Sequence, residues 1–142
     1  MKKIILPIAL LMSVISCQKE PVKNEPKKCD LTSANLIGSY KITANSYRKD
    51  AASPFVDVYA SYKPCEKDDL ITFASDNTIV FSDAGVKCSP SGDSTGTWAL
   101  GANTISIDKK VYAVTAYDCT SISGTFTGTT PGELITVTLT KQ

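Results

Sequence analysis

In this 142-residue sequence the side chains able to do more than pack are five cysteines, a short acidic cluster, two loop glycines and a scatter of aromatic rings. The chain has no histidine. A Ser-His-Asp or Cys-His nucleophile therefore cannot be assembled, and without a CxxC pair neither a zinc ribbon nor a mixed Cys/His metal site is available. Glu66, Asp68 and Asp69 offer oxygens of the kind calcium takes, yet the glycine-spaced acidic loop of a dedicated site is absent. A glycosidase needs two carboxylates facing each other across a cleft, whereas neighbours such as Asp68 and Asp69 on an extended chain point to opposite faces. They read as a solvated approach to a strand. Gly85 and Gly92 lack the fixed spacing and following helix of a phosphate cradle. The residues thus assign no catalytic group, no metal and no cofactor, and the chain does not read as an enzyme.

The cysteines say more. Lys2 and Lys3 precede an apolar run over residues 4–15, broken only by Pro7 and Ser13, that ends at Ser16-Cys17 and gives way at once to Gln18, Lys19, Glu20 and Pro21. This is the order of a secretory signal, and the run is too short for the roughly 20 apolar residues of a membrane span. Val14-Ile15-Ser16-Cys17 resembles the lipobox of bacterial lipoproteins, which implies removal of residues 1–16, a diacylglyceryl group on the Cys17 thiol, and chains of the palmitate kind anchoring residues 17–30 as a tether. Two or more acyl chains give stable membrane residence. Gln18-Lys19-Glu20 resembles the short charged signal that sends lipoproteins to the cell surface in the Bacteroidetes, without its second acidic residue. The expected location is the outer membrane, at the cell surface or on the periplasmic face.

With Cys17 committed to lipid, Cys29, Cys65, Cys88 and Cys119 remain, an even set in an oxidising compartment. Four cysteines allow three pairings, of which Cys65–Cys88 with Cys29–Cys119 is favoured. The reason for the first pair is local: Cys65 precedes and Cys88 follows the strand pair Ile71-Phe73 and Ile79-Phe81, so a hairpin brings both to one end.

Removing Lys2 and Lys3 from the 15 basic side chains leaves them one short of the 14 acidic ones. Nucleic-acid binding needs basic stripes to neutralise phosphates. The only dense basic stretch, residues 19–28, is interleaved with Glu20, Pro21, Glu25 and Pro26, and reads as a solvated linker. One domain with a modest core, over residues 31–142, fits the length.

The elements that must position these groups are strands. From Asn35 onward the apolar pattern has period two, most clearly in residues 135–140, where Ile135, Val137 and Leu139 face one way and three threonines the other. The same alternation runs through Leu36-Gly38-Tyr40-Ile42, Ile71-Phe73, Ile79-Phe81, Gly96-Trp98-Leu100, Ile105-Ile107, Tyr112-Val114-Ala116 and Ile122-Gly124-Phe126, with a shorter strand at Val56-Val58. Turn formers at Asp76-Asn77, residues 101–103, Asp108-Lys109 and residues 118–120 keep the links short, so successive strands are antiparallel neighbours. Residues 47–54 and 82–94 form longer loops. No segment has helical period. About eight such strands close most simply into an all-β, up-and-down barrel, which removes exposed edges; a two-sheet sandwich is the alternative.

Residues 36–42 at the first strand, Cys65-Glu66-Lys67-Asp68-Asp69 leading into Ile71-Thr72-Phe73, then Ser75-Asp76-Asn77-Thr78, Cys88 and residues 95–100 are similar to the lipocalin-like small lipoproteins of Bacteroidetes. The similarity covers nearly the whole domain. Lipocalins open their first strand with Gly-x-Trp; here Tyr40 stands in the Trp place. The resemblance implies a calyx-like barrel, which at this strand number either holds one small ligand or is filled by its own side chains. Tyr40, Phe73, Phe81, Trp98, Tyr112 and Phe126 are the candidate wall for a small hydrophobic or amphipathic molecule. A filled barrel would instead point to an interaction module that holds another envelope protein through residues 47–62, with Phe55, Tyr59 and Tyr62.

Overall fold

The structure is a computed structural model and describes residues 29–142. The signal segment 1–16, the lipidation site Cys17 and the tether up to residue 28 lie outside the described residues.

Among the described residues nine strands follow one another: β1 (Gly38–Arg48), β2 (Val56–Asp57), β3 (Leu70–Phe73), β4 (Thr78–Ser82), β5 (Ser94–Leu100), β6 (Thr104–Ile107), β7 (Lys110–Tyr117), β8 (Ser121–Thr127) and β9 (Leu134–Lys141). All pairings are antiparallel; β1 takes β3 on one side and β9 on the other, which closes β1 and β3–β9 into an eight-stranded barrel. The closure excludes the two-sheet sandwich. β2 stands outside this cycle, paired only with the far end of β1 at Ser46↔Asp57 and Tyr47↔Val56.

Because the strands run up and down, one end of the barrel collects the starts of β1, β4, β6 and β8 and the ends of β3, β5, β7 and β9. That end is closed. Tyr40, Phe73, Ile79, Trp98, Ile105, Ile122 and Leu139 fill it from seven strands, and Leu36 plugs it from below. The rings stack edge to face, Tyr40 on Phe73 at 5.6 Å and Phe73 on Trp98 at 5.3 Å between centroids, a geometry that suits the aromatic quadrupole. Two buried polar tips find backbone partners: Tyr40 Oη donates to the Leu36 carbonyl (2.9 Å) and Trp98 Nε1 to the Ala74 carbonyl (3.0 Å).

The plug is delivered by α1 (Ser33–Leu36), a single turn whose Thr32 Oγ1 accepts from the Asn35 backbone N–H. Lys141 then folds over the cap, its Nζ 5.7 Å from the Tyr40 ring centroid and donating to the Asn35 carbonyl at 3.0 Å. Gly38, at φ +141°, adopts a backbone conformation that L side chains rarely take, and a Cβ there would also push the end of the Lys141 side chain aside.

Three features depart from the sequence pattern. β1 continues past Ile42 to Arg48 through a bulge between Ile42 and Ala44, which shifts the inward positions from Tyr40 and Ile42 to Asn45 and Tyr47, opposite Val137 and Ile135. A second bulge between Val114 and Ala116 in β7 brings Tyr117, not Ala116, opposite inward-facing Ile122. Short helical turns also occur, in α1, in a 3-10 turn at Tyr59–Ser61 and in α2 (Pro64–Lys67), where Pro64 sits at the first turn and Glu66 Oε2 accepts from the Lys63 N–H. α1 is set by its Thr32 cap and α2 by its capping box and proline, and none of the three one-turn pieces is long enough to carry a 3.6-residue apolar period for a sequence pattern to display. Among the described residues no helix is long and apolar enough to cross a membrane.

Candidate functional site

Above the sealed end the side chains shrink and the barrel hollows out. A cavity of about 210 Å³ is lined by Ile42, Ile71, Phe73, Phe81, Ile105, Ile107, Tyr112, Val114, Ile122, Gly124, Val137 and Leu139. Every liner is an inward position of its strand, and only the Tyr112 hydroxyl brings a polar side-chain group. Gly124 contributes to the space directly: a Cβ there would meet nothing closer than Tyr112 Cβ at 3.5 Å, so the missing side chain leaves room rather than relieving a clash.

A second, wider hollow of about 480 Å³ shares Ile42, Ile71 and Phe81 with the chamber and adds Leu70, Tyr62, Glu66, Asp69, Ser82, Gly92 and Ser94. The two therefore adjoin, an apolar chamber beside a more polar vestibule at the open end. Together they fall in the roughly 300–1,000 Å³ range of small-molecule pockets.

The mouth is built by the segments that connect strands at that end. Asn45, turned inward by the β1 bulge, donates through Nδ2 to Tyr62 Oη at 2.6 Å and so holds Tyr62 over the vestibule. Tyr59 packs on Tyr62 with centroids 5.5 Å apart, and Lys67 Nζ lies 5.0 Å from the Tyr59 ring. Opposite, residues 82–94 are held by carboxylates: Asp69 Oδ1 accepts from Ala84 N (3.3 Å), Asp68 Oδ2 from Val86 N (2.8 Å), both Asp83 oxygens from Cys88 N, and Asp93 Oδ1 from Asp83 N (2.7 Å). Lys87 Nζ donates to the Asp83 carbonyl. Asp68 and Asp69 precede β3 rather than alternating along it, and both serve this loop. Burial, followed by the like charges of Asp83, Asp68 and Glu66, outweighs the Ala84 hydrogen bond and pushes the Asp69 carboxyl above its ordinary range.

The two favoured cysteine pairs stand at disulfide distance. Cys65 and Cys88 have Cα atoms 5.3 Å apart and tie α2 to the loop at the mouth; Cys29 and Cys119, 5.6 Å apart, tie the N-terminal segment to the β7–β8 turn at the closed end.

The six aromatic candidates divide by height. Phe73, Phe81 and Tyr112 line the chamber. Tyr40 and Trp98 lie below it in the sealed end. Phe126 packs against Tyr112, centroids 5.5 Å apart, with Lys110 Nζ 6.0 Å from its ring. Most of the lining is aliphatic instead, from Ile42, Ile71, Ile105, Ile107, Val114, Ile122, Val137 and Leu139, positions whose period-two alternation already marks them as inward. Among the residues 47–62, Phe55 (48 % exposed) and Val56 (58 %) are open to solvent, with the Arg48 guanidinium 5.0 Å from the Phe55 ring, while Tyr59 and Tyr62 are half-buried against each other. Among the described residues no cluster of side chains has the arrangement of a metal site.

The profile of the Lipocalin-like domain family matches residues 36–141, a span that runs from the plug residue Leu36 to the capping residue Lys141. No curated protein matches the chain.

Proposed function

The chain belongs to the lipocalin-like domain family, and from that premise we propose that it is a non-catalytic binding protein that holds one small hydrophobic or amphipathic molecule in its barrel and is anchored through lipid on Cys17. The observation that carries the reading is the apolar chamber of about 210 Å³, which adjoins a more polar vestibule through Ile42, Ile71 and Phe81. A hollow this size and this apolar is poorly hydrated, because water there would forgo its hydrogen bonds. An apolar body that fills it gains roughly 25 cal/mol for each Å² removed from water, and the sealed layer beneath keeps the rest of the core intact.

The anchoring half rests on the basic start, the short apolar run and the Ser16-Cys17 junction; the Gln18-Lys19-Glu20 stretch that follows favours the outer membrane as the site of action, at the surface or on the periplasmic face. Docking of another envelope protein has the exposed Phe55 and Val56 in its favour. That patch is small, and a module that works through its outer face has no use for a hollow interior.

The test fills the hollow. Gly124→Leu places a side chain in the chamber at a position where the added Cβ meets only ordinary contacts. Wild-type protein should bind the neutral fluorescent probe N-phenyl-1-naphthylamine saturably at one site, and Gly124→Leu should weaken that at least tenfold while its melting temperature holds or rises. Equal probe binding by both proteins, or none by the wild type, overturns the reading.

A further inference from the structure

The vestibule and the chamber ask for different chemistry. The chamber offers no charge and one hydroxyl. The vestibule places two carboxylates, Glu66 and Asp69, beside the shared apolar residues Ile42, Ile71 and Phe81, and neither lysine nor arginine lines it. The nearby cations are turned elsewhere, Lys87 to the Asp83 carbonyl and Lys67 to the Tyr59 ring. Asp68 and Asp83 stand behind Asp69 and add to the negative field there.

We propose that the occupant is a cationic amphiphile, with its apolar body in the chamber and an amine or ammonium head in the vestibule against Asp69 and Glu66. This rests on the ligand-binding reading and specifies the class of ligand. An apolar tail that enters the chamber from the vestibule passes Ile42, Ile71 and Phe81, the residues the two hollows share, and leaves its head at the level of the two carboxylates. A positive head there relieves the mutual repulsion of the acids and recovers Coulomb energy in a partly desolvated site, where charges act more strongly than in water. A carboxylate head of the fatty-acid kind would add a like charge to a site that already crowds them, and a neutral head would gain neither. Asp69 is suited to the role because Ala84 N–H occupies only one of its oxygens, which leaves the other free to accept from an ammonium.

Three ligands of one chain length separate the terms: octylamine, octanoate and 1-octanol, titrated calorimetrically into the full mature protein. Octylamine should bind at least tenfold more tightly than octanoate, with octanol between them. Asp69→Asn, which keeps an acceptor for the Ala84 N–H, and Glu66→Gln, made separately, should each narrow the amine-over-acid ratio and leave octanol affinity within about twofold. Binding of octanol with no preference for the amine, or a preference for octanoate, overturns the cationic assignment and leaves the ligand-binding reading standing. Absence of binding by all three overturns both.

Discussion

Tyr40 is fully buried in the sealed end: its ring meets Phe73, and its hydroxyl donates to Leu36, the residue that plugs the barrel. Tyr40→Phe keeps the ring and strips the carbonyl of its partner, so it should cost about 1 kcal/mol in urea unfolding; a change below about 0.3 kcal/mol would mean that the hydroxyl does not hold the plug. Burial, then the nearby Tyr117, pushes the Tyr40 hydroxyl up to about 12 from 10.0. The unfolded chain releases this proton first, so the stabilisation is complete below pH 10 and is lost as the pH climbs from 10 towards 12. Tyr40→Phe should flatten that alkaline fall, and Tyr112 and Tyr117, raised by burial, and Tyr47, raised by burial and the Glu133 carboxylate, contribute to what remains. The alternation of apolar residues made it legible that Tyr40, Phe73, Phe81, Trp98, Tyr112 and Phe126 belong to inward positions. It did not make their depth legible, because period two assigns a face and not a height. Depth follows from where each strand begins: Tyr40 and Trp98 pack level with the turns of the sealed end, while Phe81 and Tyr112 sit farther up, where no plug segment enters.

At the scale of elements, the same limit governs the bulges. The extra residue near Thr43 leaves no mark in composition, so the pattern stops at Ile42 and the inward role of Asn45, with the hydrogen bond that positions Tyr62, emerges only from the register of β1 on β9. The cysteines were more informative, since Cys65 and Cys88 flank a hairpin whose short turn fixes both at one end. They are joined across a sequence separation of 23, and a loop of this order is worth roughly 3 kcal/mol in the chain-entropy description. Replacing both with alanine should lower unfolding stability by about that amount in chemical denaturation. The first new proteolytic cut should fall within residues 84–92, because the Asp68, Asp69 and Asp83 hydrogen bonds to that loop outlast the cross-link only weakly. Loss of stability below about 1 kcal/mol, or a first cut outside the loop, would show that the carboxylates alone hold the mouth. The acidic pair was visible in sequence as a cluster, and its function as a set of acceptors was not, because its partners are backbone N–H groups more than ten residues away.

At the scale of the whole molecule, the two ends of the barrel have opposite assignments. The mouth carries the connections after β1, β4, β6 and β8, and the Cys29–Cys119 pair fixes the N-terminal segment at the other, sealed end. If Cys17 bears the anchor, the stretch from Cys17 to Cys29 spans at most roughly 40 Å and pivots at that sealed end, so the closed end stays nearer the bilayer on average and the mouth opens away from it. A ligand would then exchange with the aqueous phase or with a facing surface, not with the lipid directly beneath. Cys17→Ser should release the protein from membranes into the soluble fraction, and full retention would remove the anchor. With the anchor intact and reconstituted in vesicles that contain a headgroup quencher, a fluorophore at Ala102, in the β5–β6 turn of the sealed end, should be quenched more than one at Gly92 beside the mouth. Equal quenching would mean that the barrel lies on its side, and stronger quenching at Gly92 would turn the mouth towards the membrane and make the bilayer itself the source of the ligand.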